Sequence, residues 1–209
     1  EMKLNVGIIG NGFVGSSIVS GFSLTHEIKI YDRDPLRTTH TLEQVIKDSE
    51  FIFISVPTPM KISESGRIDL SIINSVFEEV KKISFDKTEK IFILKSTIVP
   101  GSTREISQQH PGLNLVFNPE FLTERSANLD FINSSRIILG GEKDLCDRTE
   151  VMYRSRFPHK KVIKTDWETA EFIKYMCNCF FATKVSFMNE MYQVAQKINI
   201  EWATAMSGF

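Results

Sequence analysis

Short apolar runs alternate with stretches of helical spacing along most of this chain. Leu4 to Ile9, Phe51 to Val56, Ile91 to Leu94, Leu113 to Phe117 and Arg136 to Leu139 read as strands. Glu27 to Tyr31 alternates apolar and polar residues, as a strand does. Between the runs, Phe13, Ile18, Val19 and Phe22 recur at helical spacing. Asp69 to Ile83 predicts an amphipathic helix, and Gly101 to Gln109 a short one. Such alternation predicts an α/β fold whose parallel sheet is covered on both faces. After Pro158 the pattern changes. A short strand at Val162-Ile163 precedes Thr165-Asp166-Trp167-Glu168, which reads as a capping box with Thr165 at the cap. No Pro or Gly then interrupts the chain to about Lys197. This predicts one helix of roughly thirty residues, about 45 Å long. Several of its faces are apolar, through Phe172, Tyr175, Met176, Cys179, Phe180, Phe187 and Met191. A helix of this kind is expected to be buried between lobes or subunits. The boundary is expected near residue 165, giving a sheet domain at 1–165 and a helical segment at 166–209.

Composition narrows this picture only a little. The 209 residues are 42% hydrophobic and 24% charged, with a net charge of -1. That is ordinary for a globular chain, and it implies no general attraction to polyanions, so no nucleic-acid partner is expected. No run is apolar enough over sufficient length to cross a bilayer. The cysteines are Cys146, Cys177 and Cys179. An odd count without a secretory leader predicts a reducing, cytoplasmic setting, and Cys177-x-Cys179 reads as core thiols on a helix rather than a metal or redox motif. Glu1 ahead of Met2 reads as an addition before a native start.

Candidate chemistry concentrates where strands end. The first run turns through Gly10-Asn11-Gly12-Phe13-Val14-Gly15 into a helix. Strand, G-x-G-x-x-G and helix in that order form a dinucleotide fingerprint, and hence a Rossmann-like doubly wound sheet. Gly10 permits the tight turn, Gly12 leaves the backbone bare for a pyrophosphate, and Gly15 lets helix and strand pack closely. The helix N-terminus offers unpaired N–H groups to the phosphates. Asp32 ends the second strand, where the ribose-binding acid is expected, and a carboxylate there favours NAD over NADP. Arg33 stands beside it. The alternative reading is an ordinary tight turn in a doubly wound domain. Three further strand exits are polar or stiffened: Ser55 to Pro59, Lys95 to Thr103, and Asn118 to Arg125 with Glu120 beside Pro119. Each alone fits turn chemistry and helix caps. Together on one sheet edge they point to a site.

On the long helix Lys174 and Asn178 are four apart and share a face. A lysine flanked by Phe172 and Tyr175 can serve as a base or hold an alkoxide. The alternative is a solvated lysine paired with Glu171.

These pieces together resemble the UDP-glucose/GDP-mannose 6-dehydrogenase family. The likeness runs through GIIGNGFVG with Asp32, SVPTP at Ser55 to Pro59, SGRIDLS at Ser65 to Ser71, and KSTIVPGST at Lys95 to Thr103. It continues in NPEFLTERSANLDF at Asn118 to Phe131, RIILGG at Arg136 to Gly141, and AEFIKYMCNCFFATKVSFMNEM at Ala170 to Met191. The resemblance implies oxidation of the C6 alcohol of a nucleotide sugar, UDP-glucose first, to a carboxylate with two NAD. It implies NAD contacts at Gly10, Gly12, Phe13, Val14, Gly15, Asp32, Pro57, Thr58, Ser96, Thr97 and Glu124. Glu120, Phe121, Leu122, Thr123, Glu124, Lys174 and Asn178 would meet the sugar nucleotide. Thr97 and Glu120 would help place a water, Lys174 would assist at the C6 oxygen, and Asn178 would stabilise the oxyanion. The long helix would open the central domain and form the core of a homodimer. No metal is implied.

The departures matter equally. The family's nucleophilic cysteine lies in a glycine-rich segment beyond the long helix, and the role carries over to none of the three cysteines here. The 209 residues are therefore expected to be the front part of a longer enzyme, inactive by themselves. The chain is short between Asp32 and Thr41, and Pro57 stands where many members have glycine. Two other functions fit parts of the pattern. A β-hydroxyacid dehydrogenase also joins a nucleotide fold to a helix with Lys and Asn four apart, but lacks the NPEFLTERSANLDF and KSTIVPGST segments. A non-catalytic NAD-binding and dimerisation module would need no thiol.

Overall fold

A computed structural model describes residues 4–61 and 67–209. Glu1 and Met2, and the first part of Ser65 to Ser71, lie outside these residues. The chain runs β1 (Asn5–Ile9), α1 (Phe13–Phe22), β2 (Glu27–Tyr31), α2 (Leu42–Asp48), β3 (Phe51–Ile54), β4 (Met60–Lys61), β5 (Arg67–Ile68) and α3 (Ser71–Lys81). It continues through β6 (Ile91–Leu94), α4 (Ser102–Gln109), β7 (Leu115–Phe117), α5 (Ala127–Asn133), β8 (Arg136–Gly140), α6 (Lys143–Arg154), β9 (Lys161–Thr165), α7 (Trp167–Lys197) and α8 (Trp202–Ser207). It divides into two compact units within α7, one ending at Phe172 and the other beginning at Ile173.

In the first unit seven strands form one sheet in the order β2-β1-β3-β6-β7-β8-β9. Every residue of β3 and β6 is buried. Strands covered on both faces are uniformly apolar, as these are, because neither face meets water. The register sets Ile8 beside Phe53, Phe53 beside Ile93, and Ile93 beside Val116. Those side chains form a continuous core with Phe22, Phe131, Tyr153 and Phe157. The chain leaves β1 for β2 on one side and returns to β3 on the other. That reversal opens a crevice at the carboxyl ends of β1 and β3.

The doubly wound α/β sheet and the long helix are as expected, with two differences in detail. The sheet is not wholly parallel: β7 and β8 pair antiparallel, with Phe117 opposite Gly140, so β8 and β9 run against the other five. A parallel neighbour needs a crossover that returns to the strand's start. The segment after β7 instead re-enters the sheet from its carboxyl edge. Its helix α5 packs on α1, where a Cβ on Gly21 would stand 2.2 Å from the Phe131 ring. Second, Thr165 does not cap the long helix, because it still belongs to β9. Asp166 caps it, accepting from the Thr169 N–H at 2.7 Å and hydroxyl at 2.8 Å. Glu168 is engaged by Arg104 instead.

Some elements were not read from the sequence. The capping box belongs to α2: the Thr41 hydroxyl accepts from Gln44 N–H, and the Gln44 side chain accepts from Thr41 N–H. Helix α6 buries Leu145, Cys146, Thr149, Met152 and Tyr153. Burial pushes the Cys146 thiol up to about 11. Cys146 is therefore an inert core thiol. The core reading does not extend to Cys179, which is exposed, while Cys177 is half-buried.

The second unit holds the rest of α7 and α8. Asn199 adopts φ 56°, and Ile200 N–H closes on the Ala195 carbonyl at 2.8 Å, which ends α7. Glu201 then caps α8, accepting from Ala203 and Thr204 N–H. Phe180, Phe181, Phe187 and Ile198 are exposed on this unit. Among the described residues no helix is long and apolar enough to cross a membrane.

Candidate functional site

A cleft of about 770 Å³ opens at the carboxyl ends of β1, β2, β3 and β6. The glycine turn shapes its floor. Gly10 has φ +93°, and a Cβ there would meet the Ser55 carbonyl at 2.8 Å. A Cβ on Gly15 would stand 2.1 Å from the Gly10 oxygen, so Gly15 supports the turn from behind rather than facing the cleft. Gly12 differs, since a Cβ there would meet nothing within 4 Å. It also caps α1 with no side-chain hydrogen bond, which leaves the first-turn N–H groups to be satisfied from outside. A bare backbone at a helix start fits a diphosphate.

Asp32 ends β2 at the cleft wall. Its carboxylate accepts the Asn11 N–H at 2.6 Å and the Asp34 N–H at 2.8 Å, tying the acid to the glycine turn. The Asn11 amide donates to the Arg37 carbonyl at 2.9 Å. This ties the connection that follows β2 to the glycine turn. Arg33 and Arg37 also line the cleft, and Arg37 stands 3.5 Å from the Asp34 carboxylate.

The opposite wall comes from the exits of β3 and β6. Ser96 donates to the Val56 carbonyl at 2.6 Å, and Thr58 donates to the Thr97 carbonyl at 2.5 Å. Pro57, Thr58, Ser96, Thr97 and Glu120 therefore share the cleft with Gly10, Gly12, Phe13, Val14 and Asp32. Glu120 is buried and accepts the Leu122 N–H at 2.7 Å. Phe121 and Leu122 line a smaller cavity of about 30 Å³ behind it. Thr123 spends its N–H and hydroxyl on Asp130, both at 2.9 Å. Glu124 opens an exposed turn, and neither Thr123 nor Glu124 lines the cleft. Lys174 and Asn178 lie on α7 in the second unit, Lys174 buried and Asn178 exposed. Glu171 accepts hydrogen bonds from Gly101 and Thr103 at the start of α4.

Sequence reasoning missed a buried polar node beneath this wall. Lys95 donates to Asn118 Oδ1 at 3.2 Å, and the Tyr153 hydroxyl donates to the same oxygen at 2.5 Å. Asn118 Nδ2 donates to the Ile138 carbonyl at 2.8 Å. Burial raises the Tyr153 pKa, so the hydroxyl stays a donor. These partners join β6, β7, β8 and α6, which a local pattern cannot show. Asn118→Leu is expected to cost about 2–4 kcal/mol, because the buried hydroxyl and carbonyl lose their partner. Urea unfolding of the two chains measures it.

A mostly parallel sheet with a switch-point crevice, a bare glycine turn at a helix start and a tethered acid define a Rossmann-type dinucleotide-binding domain. The chain belongs to the UDP-glucose/GDP-mannose dehydrogenase family: the model of its NAD binding domain matches residues 27–156, and that of its central domain residues 168–209. The UDP-glucose 6-dehydrogenase of Rickettsia bellii is 31% identical over 95% of this chain, which spans 53% of that protein. The GDP-mannose dehydrogenase of Pseudomonas aeruginosa, solved as a ternary complex, superposes with a TM-score of 0.84. The identity is 25%, covering 97% of this chain and 55% of that one. A UDP-D-ManNAc dehydrogenase from Pyrococcus horikoshii shares the fold with a TM-score of 0.81 at 21% identity, over 98% of this chain and 57% of that one. The chain thus spans about half the length of these relatives.

Proposed function

We propose that this chain is the cofactor-binding part of an NAD-dependent nucleotide-sugar 6-dehydrogenase, with UDP-glucose as the first substrate to test. The observation that carries this reading is the bare Gly12 backbone at an uncapped helix start, facing a cleft whose wall holds Asp32. The family match and the 31% identity to a UDP-glucose 6-dehydrogenase support it.

In this reading the diphosphate rests on the N–H groups at the start of α1. Asp32 accepts hydrogen bonds from the adenosine ribose. The other half of the dinucleotide extends towards Thr58, Ser96 and Thr97. Bound NAD would supply the hydride acceptor for the C6 carbon. Thr97 and Glu120 would hold a water at the reacting group, and the pocket wall would exclude bulk solvent. Lys174 would stabilise negative charge growing on the C6 oxygen, and Asn178 would donate a hydrogen bond to it. Phe121, Leu122, Thr123 and Glu124 would serve the sugar nucleotide. The apolar residues exposed on the second unit suit a homodimer through α7. The free thiols suit a reducing, cytoplasmic setting.

Asp32→Ala is expected to weaken NAD binding by about 10- to 100-fold, the worth of charge-assisted bonds to two ribose hydroxyls. NADP rejection should relax at the same time. Calorimetric titration of both cofactors reads both effects, and unchanged NAD affinity would remove Asp32 from the ribose site. Formation of NADH from UDP-glucose, GDP-mannose and UDP-N-acetylmannosamine, compared at equal concentration in a form of the enzyme that also carries the thiol segment, tests the substrate.

A further inference from the structure

The loop carrying Ser96 and Thr97 runs from β6 to the start of α4. Its first half is pinned to the β3 exit by Ser96 and Thr58. Its second half ends at Gly101, which has φ +95° and caps α4 without any side-chain bond. The cap arrives from far along the chain. Glu171 is fully buried, and its carboxylate accepts the Gly101 N–H at 2.6 Å, the Thr103 N–H at 2.7 Å and the Thr103 hydroxyl at 2.5 Å.

A local Ser or Asp would satisfy a helix start without burying a charge. A buried carboxylate is a costly substitute, and burial indeed raises the Glu171 pKa despite its three donors. The nearby Glu168 adds to that rise, while Arg104 holds Glu168 on the outside. What the distant carboxylate provides is a fixed anchor for the loop end, which a cap within the loop itself could not supply.

We propose that Glu171 is a positioning residue for the cleft, holding the Ser96–Thr97 wall in place through Gly101 and Thr103. The inference rests on the reading of the cleft as the dinucleotide site. The sheet order separates the two ends of that site: Asp32 closes β2, whereas Ser96 and Thr97 follow β6, on the far side of β1 and β3. Loosening the β6 loop therefore disturbs the half of the dinucleotide remote from Asp32 and spares the adenosine half.

The test is titration of Glu171→Ala with NAD and with ADP-ribose, which lacks the nicotinamide. NAD affinity should fall about tenfold, while ADP-ribose affinity should stay within about twofold. Glu171→Gln keeps one acceptor oxygen and should recover part of the loss. If Glu171→Ala does not fold, the Gln variant carries the same comparison with a smaller split. Equal losses for both ligands, or no loss for either, would overturn the positioning role while leaving the cofactor site intact. Failure of the unaltered chain to bind either ligand would overturn the site reading, and this inference with it.

Discussion

Gly15→Ala is expected to abolish NAD binding within the measurable range, a loss of about 100-fold or more, and to cost about 3 kcal/mol of stability. The new methyl would lie 2.1 Å from the Gly10 oxygen and 3.1 Å from its carbonyl carbon. Both are backbone atoms of the turn, so no side chain can move aside. Relief must come from shifting α1 against β1, which displaces the N–H groups meant for the diphosphate. Gly12→Ala provides the contrast. Its methyl meets nothing, and Gly12 has φ -78°, so the fold should tolerate it. The methyl would still occupy the approach to the bare backbone, and NAD affinity should fall without loss of stability. Urea unfolding combined with NAD titration separates the two cases. Equal behaviour of the two variants would count against the turn as the diphosphate seat.

Lys174→Ala, in a form of the enzyme that turns over nucleotide sugar, is expected to lower kcat by about 100-fold or more while leaving the Kd for NAD within about threefold. The asymmetry follows from the proposed role. An ammonium that stabilises charge growing on the C6 oxygen contributes in the transition state and little to cofactor binding. Lys174 is buried, which speaks against a merely solvated side chain. Small, equal effects on both quantities would nevertheless return it to a structural part. Lys174→Arg keeps the charge with a different shape and should recover only part of the rate.

Much of this architecture is legible in the sequence. Strands β3 and β6 are uniform apolar runs and β1 is largely so, which places all three to within two residues. Strand direction was less accessible. Nothing in Arg136 to Leu139 states that β8 runs against β7, because side-chain periodicity is the same in either sense. Helix α6 carries a stripe in Leu145, Thr149 and Met152 that the low apolar content of the rest of the helix obscures. The cap of α7 slipped by one residue because Thr165 and Asp166 are both good caps, and only strand pairing of Thr165 with Gly140 decides between them. At the site, residues on strand exits were found from local motifs. Tyr153 with Asn118, and Glu171 with Gly101, escaped notice because their partners are 35 and 70 positions away.

The two outermost strands of the sheet, β2 and β9, carry a further consequence. Among the described residues neither has a second strand neighbour, and on β2 the outward carbonyl of Ile30 is already taken by the Thr39 and His40 N–H groups at 3.0 and 2.9 Å. Lysines stand on both strands, Lys29 on β2 and Lys161 and Lys164 on β9. Lys29 on β2 is held by Asp48 at 2.6 Å, and Lys164 on β9 by Asp147 and Glu150, each at 2.6 Å. An incoming strand would meet the Thr39–His40 segment beside β2 and the paired charge of Lys164 on β9 before its first hydrogen bond formed. Both features oppose fibre growth at the margins of the sheet.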